Sequence, residues 1–155
     1  KLGLPAYDEA LVGELLQLMV ASKADYTKTF RLLCERPGHP SELHPSFYLP
    51  SSDAIDAQWQ AWLKRWHASL SSNDNLSETS AAMRRVNPAI TWREWLIAPA
   101  YQQAEQGDHD LVRELQLLFR HPYDEPSEAL ASRYDQLKPR QFFSAGGISH
   151  YSCSS

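Results

Sequence analysis

Apolar and polar positions alternate along this chain with helical periods. Leu11, Val12, Leu15, Leu16, Leu18 and Met19 recur at three- and four-residue intervals behind Asp8, the pattern of a helix that buries one face and starts at a carboxylate cap. A second helix opens after Asp25, carries Phe30, Leu32 and Leu33, and stops at Cys34 before Pro37 and Gly38. Residues 37–50 hold Pro40, Pro45 and Pro50, which exclude a regular helix, so the reading there is a loop. Ser52 or Asp53 then starts a helix whose stripe is Ile55, Trp59, Trp62, Leu63 and Trp66.

Beyond a polar stretch at 71–75, the pattern predicts a helix over 77–86. Asn87 and Pro88 read as the cap and first residue of another, running toward Glu105 with Pro99 kinking or dividing it. Gly107 supplies a stop and Asp108 a cap for a stripe of Leu111, Val112, Leu115, Leu118 and Phe119 that ends at Pro122. A short helix is expected over 127–136, followed by a flexible tail over 138–155. Strand-like alternation of useful length is absent. The fold class is therefore all-α, an irregular bundle of about six to seven helices forming a single helical domain or fragment over 1–155.

Composition agrees with a folded domain: 43% of the 155 residues are hydrophobic and 22% charged. A net charge of −4 argues against nucleic acid as a partner, since phosphate binding leaves a basic face. No apolar run approaches the roughly 20 residues of a membrane span. Only two cysteines occur, Cys34 and Cys153, too few for a disulfide framework or zinc site.

Candidate chemistry is sparse. His39 and His44 are each followed by proline, and no two histidines have the i, i+4 spacing of a helical metal site, so solvated loop histidines are the better account and no metal site is assigned. The carboxylate pairs Asp8–Glu9 and Asp124–Glu125 are adjacent, so they point apart and serve as caps rather than as a proton-sharing dyad. No serine sits in a Gly-x-Ser-x-Gly elbow, and Ile148 after Gly146–Gly147 voids a phosphate loop. Arg84 and Arg85 beside Asn87 form the one cluster suited to a phosphate or carboxylate, with a structural ion pair the favoured reading. Cys153, the third residue from a Ser/Gly-rich chain end, offers an accessible thiol open to redox chemistry.

Several segments, in order, resemble the C-terminal third of the selenoprotein O family of kinase-like proteins. They are Lys1-Leu2-Gly3-Leu4, Ala24-Asp25-Tyr26-Thr27 with Phe30-Arg31, Met83-Arg84-Arg85-Val86-Asn87-Pro88, Gly107-Asp108, Pro122-Tyr123-Asp124-Glu125 and Ser152-Cys153-Ser154-Ser155. Trp92-Arg93-Glu94 stands where that family usually has Leu-Arg-Asn, and Lys138-Pro139-Arg140 replaces a Trp-Gly element. The resemblance implies a bilobal kinase-like parent that moves AMP from ATP, with Mg2+, to Ser, Thr or Tyr of protein substrates. It implies that the ATP and metal ligands lie upstream of Lys1, so this chain carries no catalytic or cofactor-binding residue and packs on the N-terminal kinase-like domain.

The resemblance further implies a redox role for Cys153, at a position that is selenocysteine in some animal members. Cys34, on a helix expected to be buried, is not expected to pair with it. Localisation would be cytoplasmic in a bacterium and mitochondrial in a eukaryote. The competing expectation is a stand-alone all-α interaction module without catalysis.

Overall fold

The computed structural model describes residues 1–70 and 75–143. Among these it contains seven α-helices and no β-sheet, only an isolated antiparallel bridge between Ala24 and Phe47, so the chain is all-α. The backbone gathers into two compact units, Lys1–Pro88 and Ala89–Ser155.

In the first unit, α1 spans Glu9–Ala21, α2 Tyr26–Leu33, α3 Asp53–Ser69 and α4 Leu76–Arg84. Each begins at a side-chain cap that satisfies an otherwise orphaned backbone N–H: Asp8 accepts from Leu11 N, Asp25 from Lys28 N, Ser52 from Ile55 N and Asn75 from Ser77 N. The stripes then decide the packing. α1 lies against α3, with Leu11, Leu15 and Leu18 facing Trp59, Trp62 and Trp66 in one core.

All three indoles are fully buried, and each N–H finds an acceptor: Trp59 donates to Ser22 Oγ at 3.3 Å, Trp62 to the Leu11 carbonyl at 2.9 Å and Trp66 to the Leu2 carbonyl at 2.8 Å. Burying such side chains stabilises by about 1.5–3 kcal/mol each. Their hydrogen bonds spare a desolvation penalty of about 1–3 kcal/mol per group.

Residues 37–50 are more ordered than a loop of prolines suggests. They hold two 3-10 turns, Pro40–Glu42 and His44–Ser46, with Leu43 fully buried between them. Pro40 fits because the first position of such a turn needs no N–H. Ser46 ties the second turn to the start of α2: its carbonyl accepts from Asp25 N at 2.7 Å and its Oγ from Thr29 Oγ1 at 3.0 Å.

In the second unit, α5 spans Glu94–Glu105, α6 Asp110–Leu118 and α7 Glu128–Tyr134, and a 3-10 turn follows at Arg140–Phe142. The expected helix start at Asn87–Pro88 is corrected here: α5 begins at Glu94, six residues beyond Pro88, with no side-chain cap. Asn87 does not cap because its amide is committed to a tertiary contact described below. Pro99 lies inside an unbroken α5. Gly107, at φ +87°, takes the left-handed conformation that closes this helix. Asp108 Oδ1 accepts from Asp110 N at 3.0 Å as α6 starts, and Ser127 caps α7 through Leu130 N. The core of this unit is small, built on Ile90, Trp95, Leu96, Ala100, Leu115 and Tyr134.

Candidate functional site

The polar residues singled out by sequence converge at the end of α4. A helix terminus leaves its last carbonyls without intrahelical donors and carries partial negative charge. Two cations meet them. Arg31 Nη1, from α2, donates to the carbonyls of Arg84 at 3.3 Å and Asn87 at 2.9 Å, and Lys1 Nζ donates to that of Val86 at 3.0 Å. Lys1 also lies over the Phe30 ring, 5.5 Å from its centroid.

Asn87, fully buried, completes the cluster. Its Oδ1 accepts from Lys1 Nζ at 3.1 Å, while its Nδ2 donates to the Lys1 carbonyl at 2.8 Å and to Cys34 Sγ at 3.5 Å. The Cys34 thiol donates in turn to the Phe30 carbonyl. Burial pushes this thiol above its ordinary pKa, and the Asn87 amide and the Arg31 charge oppose that only in part. Cys34 is thus a neutral, enclosed thiol, poorly suited to nucleophilic or redox work.

Arg84 and Arg85 are not used alike. Arg84 forks onto the Glu35 carboxylate, its Nε and Nη2 reaching Oε1 at 3.0 and 2.7 Å and Nη2 reaching Oε2 at 2.6 Å. Arg85 is exposed. The pair therefore does not converge on one anion, and sequence reasoning missed the partners Lys1, Arg31 and Glu35 because they lie 49 to 86 residues away. Cys153 lies outside the described residues.

His39 and His44 are engaged by near neighbours in sequence. His39 Nδ1 accepts from Ser41 N at 3.2 Å, with Glu42 closing a capping box. His44 Nε2 meets Asp56 Oδ1 at 2.9 Å, and Ser51 Oγ donates to the same oxygen at 2.6 Å. The Ser51 hydrogen bond above all, with His44 adding to it, holds the Asp56 carboxyl below the usual carboxylate range against the opposing effect of desolvation. Ser51 donates to the aspartate rather than to the imidazole, so the trio lacks the hydroxyl-to-base contact that activates a nucleophile.

In the second unit, burial first, and then the Glu114 carboxylate, push the Tyr134 phenol up to about 12. Its hydroxyl has no partner of hydrogen-bonding geometry among the described residues, so we attribute the Glu114 effect to proximity of charge.

Among the described residues no group of three His, Cys, Asp or Glu could hold a metal ion. The Arg84 guanidinium is engaged by the Glu35 carboxylate. No helix of the described residues is long and apolar enough to cross a membrane. The chemistry these residues perform is mutual: they hold α2, α4 and the first residues of the chain in register.

Comparison with known proteins gives this architecture a context. A family model described as "Protein adenylyltransferase SelO" matches residues 1–120. The chain is 40% identical over 154 residues to "Protein nucleotidyltransferase YdiU" of Xanthomonas oryzae pv. oryzae (strain PXO99A), covering 96% of this chain and 29% of the relative. It is 36% identical over 129 residues to a protein of the same name from Salmonella typhi, covering 81% of this chain and 26% of that one. The chain spans less than a third of the length of these curated relatives.

Proposed function

The chain belongs to the SelO family of protein adenylyltransferases, and from that premise we propose that it is the C-terminal helical part of a longer enzyme that transfers AMP from ATP to Ser, Thr or Tyr hydroxyls of proteins. The observation that carries this reading is the match itself, which reaches nearly the whole of this chain and only 29% of a relative named as a nucleotidyltransferase. ATP and Mg2+ are assigned to the remainder of the enzyme. The contribution of these residues is architectural: the two units supply a helical surface that packs on the kinase-like part.

Cys153 is proposed as a redox-active thiol on the resemblance of Ser152-Cys153-Ser154-Ser155 to the terminal motif of the family; Cys34 is enclosed. The proposed compartment is the cytoplasm of a bacterium, in keeping with the bacterial relatives, or the mitochondrion if the source is eukaryotic.

The test is incubation of the full-length protein, and separately of residues 1–155, with ATP labelled at the α-phosphate and with a protein acceptor. Label on the acceptor from the full-length protein alone is expected. Transfer by residues 1–155 alone, or transfer of the γ-phosphate by the full-length protein, would overturn the reading.

A further inference from the structure

The second unit leaves open an apolar groove of about 400 Å3 between α5 and α6. Its floor is Ala100 and Leu115, and its walls are Ile97 and Tyr101 from α5 and Val112 and Phe119 from α6. At one side Trp92, 65% exposed, stacks on Phe119 with ring centroids 4.7 Å apart. Tyr101 and Val112 are 48% and 40% exposed, so a run of large apolar side chains faces outward beside a core that contains two alanines. Contiguous exposed apolar surface of this kind marks an interaction site.

Arg120 stands at the end of the groove, exposed, and its guanidinium has no ion-pair or hydrogen-bond partner among the described residues. An occupant must therefore offer apolar side chains and, at one end, a carboxylate. The other polar groups of the lining are Gln116, the Tyr101 hydroxyl and the Trp92 indole N–H, with no carboxylate and no second cation to orient a nucleotide.

We propose that this groove seats an apolar, carboxylate-bearing segment of the same longer polypeptide, from the portion outside these 155 residues. The inference rests on the reading of the chain as part of a longer enzyme. More than two thirds of the relatives' length lies outside the aligned region, and a surface on the same chain meets the groove at an effective concentration on the order of millimolar, which a separate partner rarely reaches. A small unit with a thin core gains most from such docking.

The experiment uses the full-length protein with a photo-crosslinking benzoylphenylalanine in place of Val112, and a second version with the probe in place of Tyr101. After irradiation, peptide mass spectrometry should find a crosslink within one molecule to a peptide outside the 155 residues, from at least one of the two positions. Crosslinks between copies, crosslinks confined to residues 1–88, or no crosslink from either position would overturn the proposal. AMP transfer is measured on the unmodified protein. Transfer without the crosslink fails the groove and spares the enzyme reading; the crosslink without transfer does the reverse.

Discussion

Asn87 and Lys1, 86 residues apart, bind each other in both directions: the Asn87 amide donates to the Lys1 carbonyl at 2.8 Å, and the Lys1 ammonium donates back to Asn87 Oδ1 at 3.1 Å. Replacing Asn87 with Ala removes both bonds and the contact to Cys34. It should destabilise the first unit by about 1–2 kcal/mol, since the part-buried Lys1 carbonyl loses its donor and the Lys1 ammonium keeps only the Val86 carbonyl as acceptor. Urea unfolding should show a lower midpoint with an unchanged slope; an unaltered midpoint would mean that this bracket is dispensable.

Gly3 sits at φ +69°, and a Cβ there would lie 2.7 Å from Thr79 Cγ2 and 3.0 Å from Met83 Sδ. Gly107, at φ +87°, has open space around its missing Cβ. Gly3→Ala therefore carries a steric penalty on top of the left-handed one of about 1–2 kcal/mol, whereas Gly107→Ala carries only the latter. Thermal melts of the two variants should rank Gly3→Ala as the more damaging, and the reverse order would refute this account.

The Arg84–Glu35 pair is half open to water, at 35% and 56% side-chain exposure. Its fork geometry is good, but solvent screens it, so a double-mutant cycle with Arg84→Ala and Glu35→Ala should give a coupling of about 0.5–1 kcal/mol. The coupling should shrink in about 1 M salt. A salt-independent coupling several times larger would assign Arg84 a different role.

Asp56 has a folded-state pKa below its model-peptide value of 3.8. Its carboxylate thus contributes stability that is complete above that value and is lost as pH falls through the lower, folded value. Ser51→Ala removes the largest cause of the depression. A carboxyl-detected NMR titration should then show Asp56 protonating at higher pH, and the acid-unfolding midpoint should move upward with it. An unmoved Asp56 titration would show that Ser51 does not set it.

Caps and stripes made most of the helices readable. Asp8, Asp25, Ser52 and Ser127 each act on a backbone N–H three residues ahead, a local relationship that sequence displays directly. The indole stripe likewise announced the core. Asn87 misled because an Asn-Pro pair has the local chemistry of a helix start, while its amide is claimed by Lys1, a partner that no local pattern reveals. The 3-10 turns at 40–46 were hidden for a related reason. They are held by Ser46, whose contacts reach back to Asp25 and Thr29. At the candidate site the arginines were visible, but their acceptors were not, because a helix end meets distant cations only once the chain has folded.

The indoles of α3 also give the molecule an optical signature. Trp62 and Trp66 lie nearly parallel, 15° between planes and 5.7 Å between centroids, and Trp59 meets Trp62 edge-on at 5.9 Å. Chromophores so close and so fixed couple their electronic transitions, and the coupling vanishes once the rings rotate independently. Near-ultraviolet circular dichroism therefore reads the integrity of the first unit without any added label. Trp92, standing in the open on the second unit, answers instead to a soluble quencher, so one unmodified chain reports on its two halves through separate channels of light.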